Sequence, residues 1–249
     1  MPAHGTIVYL ENVTVSFDGF QALRGVDFYV EPRGLRALIG PNGAGKTTLL
    51  DVICGKVKPA AGRVIFGHKT DLSRLQEHQV AMLGIGRKFQ TPAVFKQLTL
   101  FENLVLALRQ PRGVLSTLRS TLRPAQIETI ETTLQTLGLL SKAHTKAGAL
   151  SHGEMQWLEI GMVMVQEPVL LLLDEPVAGM SKEEREKTGE LLQRLARECA
   201  VLVVEHDMEF VRQTAHRVTV LHEGRVLCEG SVEHVQRDPR VVEVYLGRG

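Results

Sequence analysis

Residues 40–47 read Gly-Pro-Asn-Gly-Ala-Gly-Lys-Thr, a run that fills every fixed position of the phosphate-binding pattern G-x-x-x-x-G-K-[ST]. The largely apolar residues 35–39 before it have the composition of a buried strand, and Leu49 and Leu50 after it belong to a predicted helix. Glycines let backbone N–H groups close around phosphate oxygens, and the start of the helix directs its free amides at the anion. The pattern therefore restricts the chain to folds that hold a phosphate between a strand and a helix, and it predicts a nucleoside triphosphate site.

Two side chains of this loop add chemistry that the backbone lacks. Lys46 supplies a positive charge to the phosphates, and Thr47 offers a hydroxyl to Mg²⁺. The alternative is a glycine-rich turn that matches by chance, which is disfavoured because the strand, the loop and the helix agree. The residues predicted to contact the nucleotide here are Asn42, Gly43, Ala44, Gly45, Lys46, Thr47 and Thr48.

The charge balance and the apolar runs exclude several other classes of protein. The chain of 249 residues has 29 Lys and Arg against 28 Asp and Glu, with no long basic run, so a nucleic acid is not expected as a partner. Residues 1–5 do not resemble a secretory signal, and the longest apolar run, residues 169–173, is far shorter than a membrane span. The chain is therefore expected to be soluble and not exported, with its three scattered cysteines reduced in a cytosol.

The periodicity of apolar residues predicts an α/β fold with a helical insert. Residues 8–15 alternate apolar and polar side chains, and residues 26–30 do so more loosely, which indicates a small antiparallel sheet. From residue 98 to about residue 138 the pattern is helical, and Pro111 and Pro124 are expected to break it. Strands and helices alternate elsewhere, which places the core in the α/β class. The other predicted elements are strands at 63–66, 169–173 and 201–204, helices at 151–165 and 183–197, and a hairpin at 218–228.

Two carboxylates follow the predicted strand at residues 170–173. Asp174 and Glu175 would lie at the carboxyl edge of a parallel sheet, which is where such sheets bind ligands. Asp174 is the expected magnesium ligand opposite Thr47, and Glu175 is the expected general base for the water that attacks the γ-phosphate. The alternative is an acidic loop that caps the next helix.

A histidine and a helix cap are the remaining candidates. His206 follows the predicted strand at 201–204 and could hydrogen-bond the γ-phosphate, with Glu205 or Asp207 orienting its ring. The alternative is a structural or solvated histidine. Ser151 and Glu154 fit the pattern Ser-x-x-Glu, a capping box that satisfies the first free N–H groups of a helix.

In their order and spacing, these motifs resemble the nucleotide-binding subunit of ABC transporters over essentially the whole chain. The matching positions are residues 40–47, Gln90, residues 150–154, residues 170–175 and His206. The resemblance implies a P-loop NTPase with a RecA-like α/β core, an antiparallel β subdomain and an inserted helical subdomain. It implies one ABC ATPase domain over residues 1–249, in which 1–91 and 166–249 form the core with the β subdomain, and 92–165 form the helical subdomain with the signature helix.

The same resemblance implies roles for individual residues. Gln90 matches the glutamine loop, where it would be both a metal ligand and a catalytic residue, and Phe17 matches the aromatic that stacks on adenine. Two subunits would enclose two molecules of ATP with Mg²⁺, each phosphate loop facing the partner's signature helix. Ser151 and Gly153 would then serve a nucleotide held by the partner. ATP would close the dimer, and hydrolysis would release it.

The sequence departs from the family pattern at two places. The usual signature Leu-Ser-Gly-Gly-Gln is replaced by Leu-Ser-His-Gly-Glu at residues 150–154, and Ser181 stands where an aspartate is usual. A carboxylate that pointed at ATP would repel it, so Glu154 is expected to cap its own helix instead. Ser181 is expected to weaken communication between the two nucleotide sites.

Narrower runs of sequence indicate a subgroup and its partners. Residues 86–92, 205–208 and 243–247 look like the branched-chain amino-acid importer type, and within it residues 150–153, 156–162, 176–180 and 205–211 most resemble the urea-importer ATPase. The resemblance implies a second ATP-binding subunit, two membrane permeases and, indirectly, a periplasmic solute-binding protein. It places the chain on the cytoplasmic face of the inner membrane as a peripheral subunit.

Other functions stay open at this point. An importer ATPase for branched-chain or polar amino acids is the alternative to one for urea. A soluble ABC protein of translation or DNA maintenance is disfavoured because the chain has one cassette, and a regulator without hydrolysis is disfavoured by Glu175 and His206. The expected docking surface for a permease is the groove beside Gln90 with residues 91–101, although Pro92, Val94, Phe95 and Leu98 equally fit the core of the helical lobe.

Overall fold

The computed structural model describes residues 5–67, 69–88, 94–108 and 122–246. Its strands are β1 (Val8–Phe17), β2 (Phe20–Val30), β3 (Gly34–Ile39), β4 (Ala61–Phe66), β5 (Thr70–Asp71), β6 (Ile85–Lys88), β7 (Leu170–Asp174), β8 (Ala200–Val204), β9 (Arg217–His222) and β10 (Arg225–Gly230). Its α-helices are α1 (Lys46–Ile53), α2 (Glu77–Met82), α3 (Leu100–Ala107), α4 (Pro124–Thr136), α5 (His152–Met164), α6 (Lys182–Leu195), α7 (Met208–Thr214), α8 (Val232–Arg237) and α9 (Pro239–Leu246). Short 3-10 helices lie at Leu72–Arg74, Leu140–Lys142 and Ala147–Ala149.

The larger sheet forms the centre of the molecule. Its strand order is β10-β9-β3-β8-β7-β6, with β10 antiparallel to β9 and every other neighbouring pair parallel. Along β7, Leu170 and Leu172 join the core cluster that contains α1, whereas Leu171 and Leu173 join the cluster that contains α5 and α6. Successive side chains of a strand point to opposite faces, so a strand covered on both faces is apolar throughout. The α/β class expected from the sequence is confirmed.

The smaller sheet is antiparallel, in the order β2-β1-β4-β5. Its second strand begins at Phe20, six residues before the segment that the sequence predicts. Asp18 and Gly19 both have positive φ angles, of 47° and 86°, so they form a tight two-residue turn and the chain pairs again at once. The prediction missed the first part of β2 because its side chains do not alternate between buried and exposed.

The predicted helical insert, residues 92–165, includes α3, α4 and α5 among its described residues. Pro124 was expected to break the helical pattern, and it does so: Arg123 before it is extended, and α4 begins at Pro124. The first turn tolerates proline because its N–H would have no partner there. Pro111 lies outside the described residues, and the division of the chain at residues 92 and 165 stays a prediction.

Candidate nucleotide-binding site

The phosphate loop connects β3 to α1, and two of its glycines are required by close backbone contacts. Gly45 has φ of 102° and caps α1 without a side-chain hydrogen bond; a Cβ here would lie 2.5 Å from the carbonyl oxygen of Ala22. A Cβ on Gly40 would collide with the carbonyl oxygen of Leu221. The first turn of α1 contains no acidic residue. The loop therefore leaves the first amides of α1 available to an anion.

A turn from the C-terminal part of the chain supports this loop. The Gly224 N–H donates to the carbonyl oxygen of Ala44 at 3.0 Å, and the Arg24 N–H donates to the carbonyl oxygen of Gly224 at 2.8 Å. Gly224 is in the turn between β9 and β10, and Arg24 is in β2. The phosphate loop is thus held between the hairpin β9–β10 and the smaller sheet.

Lys46 is buried within the loop that it follows. Its Nζ donates to the carbonyl oxygens of Gly40 at 2.7 Å and Pro41 at 2.9 Å. Burial lowers the pKa of this ammonium group, and the nearby carboxylates of Glu175 and Asp174 oppose that effect. The charge is therefore positioned at the loop by backbone carbonyls.

The structure brings Thr47 and Asp174 together, as the sequence predicts. The Thr47 hydroxyl donates to Oδ2 of Asp174 at 3.4 Å, although 127 residues separate them. Burial raises the pKa of the Asp174 carboxyl, whereas the guanidinium of Arg87, with Nη2 at 3.5 Å from the same oxygen, favours the charged form. A buried carboxylate beside a hydroxyl is a donor set that suits Mg²⁺. Arg87 was not predicted as a site residue, since nothing local distinguishes a basic residue in a short strand.

Glu175 and His206 lie next to each other at the same edge of the sheet. Nδ1 of His206 is 3.6 Å from Oε1 of Glu175; the histidine is exposed and the glutamate is partly exposed. The backbone of Glu175 is left-handed, with φ of 49°, and its N–H donates to the carbonyl oxygen of Val204 at 2.9 Å. Glu175 lines the same cavity as Lys46 and Thr47.

Glu205 and Asp207, the two carboxylates that flank His206, have different hydrogen-bond partners. Asp207 was expected as one candidate to orient the ring, but it caps α7 by accepting from the N–H groups of Glu209 and Phe210, both at 3.0 Å. Its other oxygen pairs with Nη1 of Arg185 at 2.6 Å. Asp207 therefore does not orient the histidine.

Glu205 is the carboxylate that supports the histidine. Its buried side chain accepts from the backbone N–H of His206 at 3.1 Å and from that of Val177 at 3.3 Å. Its Oε2 is also 3.9 Å from Nδ1 of the His206 ring. Burial raises the pKa of Glu205, and the backbone N–H donors oppose this rise. Glu205 thus connects the loop after Glu175 to the backbone of His206.

Two exposed phenylalanines complete the rim of the site. Phe17 and Phe20 face each other across the turn between β1 and β2, with 46% and 61% of their surfaces exposed. Both line a cavity of about 410 Å³ that also contains the phosphate loop, Asp174 and Glu175. An aromatic face can stack on a nucleobase. Phe17 was predicted from the sequence, whereas Phe20 was not, because its only signal is its place directly across the turn.

Comparisons with known proteins agree with this geometry. The family described as ABC transporter matches residues 23–178, and the family described as branched-chain amino acid ATP-binding cassette transporter matches residues 225–249. The chain belongs to the ABC transporter family. It is an ATP-binding cassette ATPase with a P-loop NTPase fold, as expected from the sequence.

Three relatives of this cassette cover nearly its whole length. The high-affinity branched-chain amino acid transport ATP-binding protein LivG of Escherichia coli K12 is 34% identical, over 97% of this chain and 98% of its own. The ADP conformation of MJ1267, an ATP-binding cassette of an ABC transporter, aligns with a TM-score of 0.86 and 31% identity, covering 98% and 99% of the two chains. The dimeric structure of MJ0796, a bacterial ABC transporter cassette, aligns with a TM-score of 0.75 and 25% identity, covering 90% and 98%. Among the described residues of the present cassette, no helix has the length and apolar character of a membrane span.

The start of α5 in this cassette lies apart from the cavity that contains the phosphate loop. Ser151 caps the helix and accepts from the N–H of Glu154 at 3.2 Å, and Glu154 accepts in return from the N–H of Ser151 at 3.1 Å. Oε1 of Glu154 also pairs with Nζ of Lys142 at 2.5 Å. The prediction that Glu154 caps its own helix is confirmed.

Other contacts tie the start of α5 to the loop and helix that follow Glu175. The Ser151 hydroxyl donates to Oε1 of Glu184 at 3.2 Å, and Nε2 of His152 donates to the carbonyl oxygen of Ala178 at 3.1 Å. Gly153 packs so closely on Glu184 that a Cβ would collide with its carboxylate. Neither Ser151 nor Gly153 lines the cavity of the phosphate loop. Gln90, predicted as a metal ligand and catalytic residue, lies outside the described residues.

Proposed function

We propose that this chain is the ATPase subunit of an importer for branched-chain amino acids, bound at the cytoplasmic face of the membrane as a peripheral subunit. The observation that carries the proposal is the match of residues 225–249 to the branched-chain family, together with LivG, whose name states branched-chain amino acid transport. The urea importer expected from residues 150–153 and 205–211 has less support, because the comparisons favour the amino-acid alternative.

The roles proposed for the site residues follow from their positions. The amides at the start of α1 and the Lys46 ammonium would hold the phosphates of ATP. Thr47 and Asp174 would hold Mg²⁺, which supplies positive charge to the phosphate oxygens when it is bound. Glu175 would accept a proton from the attacking water, and His206 beside it would donate a hydrogen bond to the γ-phosphate.

We also propose that two subunits enclose the nucleotides, with Ser151 and Gly153 of each facing the phosphates bound by the other. Support comes from the separation of α5 from the chain's own phosphate loop, since neither residue lines that cavity. The likeness to the cassette whose dimeric structure is known gives further support. The second ATP-binding subunit is either a copy of this chain or a related one.

The proposed complex contains two permeases and, indirectly, a periplasmic solute-binding protein. The exposed side chain of Phe95 suits the docking surface expected beside Gln90, whereas Val94 and Leu98 are half-buried. Phe95→Asp should therefore abolish permease binding with folding unchanged. Normal binding by this variant would move the docking surface elsewhere.

The identity of the transported solute can be tested with the membrane complex that co-purifies with this chain. The complex is reconstituted in vesicles together with its solute-binding protein. Leucine should stimulate ATP hydrolysis and urea should not, and Glu175→Gln should abolish the stimulated rate. Stimulation by urea alone would overturn the amino-acid assignment. Equal and negligible turnover of wild type and Glu175→Gln would instead indicate a regulator that binds ATP without hydrolysing it.

A further inference from the structure

The edge strand β6 carries two consecutive buried basic residues. Arg87 and Lys88 have side chains that are 6% and 5% exposed, which is unusual for charged residues. Their side chains lie on opposite faces of the sheet, because successive residues of a strand alternate. One cation therefore faces α1 and the other faces α5.

Arg87 lies on the face of the nucleotide site. Its guanidinium pairs with Asp51 of α1 and lies 3.5 Å from Asp174, the proposed magnesium ligand. It also donates to Sγ of Cys54 at 3.4 Å. The helix that starts at the phosphate loop and the strand that ends at Asp174 are thus both fixed to β6.

Lys88 lies on the face of the signature helix. Its Nζ is 3.2 Å from Oε2 of Glu159 in α5, and the Glu159 side chain is 6% exposed. Two residues earlier, Gly86 packs directly on the same helix, since a Cβ there would collide with Val163 and lie 3.3 Å from Pro168. Close packing and a buried ion pair together fix the position of α5 against β6.

A buried ion pair contributes little to stability, because desolvation of the two charges offsets their attraction. An apolar pair of similar volume would often stabilise such a site better, but it would restrict the relative position of strand and helix less. The pair between Lys88 and Glu159 is thus better suited to a positional role than to a stabilising one.

We propose that Lys88 and Glu159 are positioning residues that couple the nucleotide site to the signature helix. Arg87 ties β6 to the metal-binding carboxylate, and Lys88 ties the same strand to α5. A change at the phosphates therefore moves the start of α5, two turns before Glu159, and sets how well it receives the partner's nucleotide. This inference rests on the proposed dimer of cassettes.

The test uses Lys88→Met and the double variant Lys88→Met/Glu159→Leu. The single variant leaves a buried carboxylate unpaired and should melt at a lower temperature, whereas the double variant should recover the melting temperature. As a monomer, the double variant should bind nucleotide with the same affinity as wild type. Its kcat for ATP hydrolysis should nevertheless fall at least about tenfold, in the range of typical coupling between sites.

Hydrogen exchange provides a second readout that needs no dimer. In monomeric wild type, ADP with Mg²⁺ should change the exchange rates of amides in residues 151–164, and in the double variant this change should disappear. The control variant Arg63→Met/Glu11→Leu removes an exposed pair with a distance of 2.6 Å and should behave as wild type.

Two results would overturn the coupling. The first is that kcat recovers together with the melting temperature in the double variant. The second is that nucleotide changes hydrogen exchange in residues 151–164 equally in wild type and in the double variant. Failure of the dimer proposal would look different. In that case wild type itself would show no cooperative dependence on ATP, while the exchange response would still distinguish wild type from the double variant.

Discussion

The helices α1 and α5 both begin at residues that the sequence assigns to phosphate binding, yet their N-termini differ in almost every physical respect. The start of α1 at Gly45 has no side-chain cap and no acidic residue in its first turn. The start of α5 at Ser151 has a complete capping box with Glu154, which also pairs with Lys142. The first N–H groups of α1 have no side-chain hydrogen-bond partner in the part of the chain that the structure describes, whereas those of α5 are capped by side chains of the same helix end.

This difference determines how the N-termini of α1 and α5 can contribute to binding ATP. The free amides of α1 can receive an anion with no rearrangement, so a single cassette should bind nucleotide. In the proposed dimer, a partner's phosphate at α5 would have to compete with the hydrogen bonds that Ser151 makes to Glu154 and Glu184. ATP-driven association of two cassettes should therefore be weaker than nucleotide binding to one.

Lys46→Ala gives the largest expected effect, because it removes the positive charge at the uncapped N-terminus of α1. The ammonium is held by two backbone carbonyls at the loop, and no other cation lines the cavity among the described residues. We expect kcat to fall about 10²–10³-fold, the usual cost of losing a group that stabilises developing charge. Steady-state ATPase assays of the folded variant measure this. Unchanged turnover would contradict the proposed site.

Ser151→Ala tests the other end, with Ser231→Ala as a control. Both serines cap a helix, Ser151 by accepting from the N–H of Glu154 and Ser231 by accepting from the N–H of His234. Each variant should lose about 1 kcal/mol of unfolding free energy. Only Ser151→Ala should also weaken ATP-driven dimerisation, by about five- to tenfold. Equal dimerisation of the two variants, measured by analytical ultracentrifugation, would show that the start of α5 does not meet a partner's nucleotide.

Asp207→Asn changes the cap of α7, which is a charged side chain, unlike the serine that caps α5. Hydrogen bonding from the Phe210 N–H and the guanidinium of Arg185 hold the pKa of Asp207 below its usual value. The stability from this carboxylate is therefore fully present above about pH 4 and is lost as the pH falls through the depressed pKa. The variant should lose about 1 kcal/mol at neutral pH and less at acidic pH, where wild type has lost that stability too. Chemical denaturation from pH 2 to pH 7 measures this; a constant difference would contradict it.

Glu154→Gln should have the smallest effect. Glutamine also completes a capping box, so only the partly exposed ion pair with Lys142 is lost, at a cost of a few tenths of a kcal/mol. ATP-driven dimerisation should change less than about twofold. A gain in affinity of more than about tenfold would show that the carboxylate faces the nucleotide and that the two helix ends are more alike than the structure indicates.

The parts of the site that the sequence predicted are those set by local patterns. A strand followed by a glycine-rich loop, and a strand followed by Asp174 and Glu175, need only local periodicity to be found. The carboxyl ends of parallel strands share one edge, so residues as distant as Thr47 and Asp174 could be placed together. The capping box at Ser151 is equally local.

The parts that the sequence did not predict depend on long-range packing. Arg87 and Lys88 lie in a four-residue strand, and only the folded chain shows that Asp51 and Glu159 cover them. The carboxylates of Glu205 and Asp207 flank the same histidine, and only their hydrogen-bond partners and burial in the folded chain separate their roles. No local pattern carries that distinction.

The contact between the phosphate loop and the hairpin β9–β10 has a consequence for how this protein is made. Ribosomes synthesise the loop early, but the Gly224 amide that supports Ala44 emerges only after most of the chain has been translated. A nascent polypeptide should therefore acquire affinity for ATP late, when its last hairpin has folded. Cellular ATP would then selectively stabilise completed molecules over truncated ones.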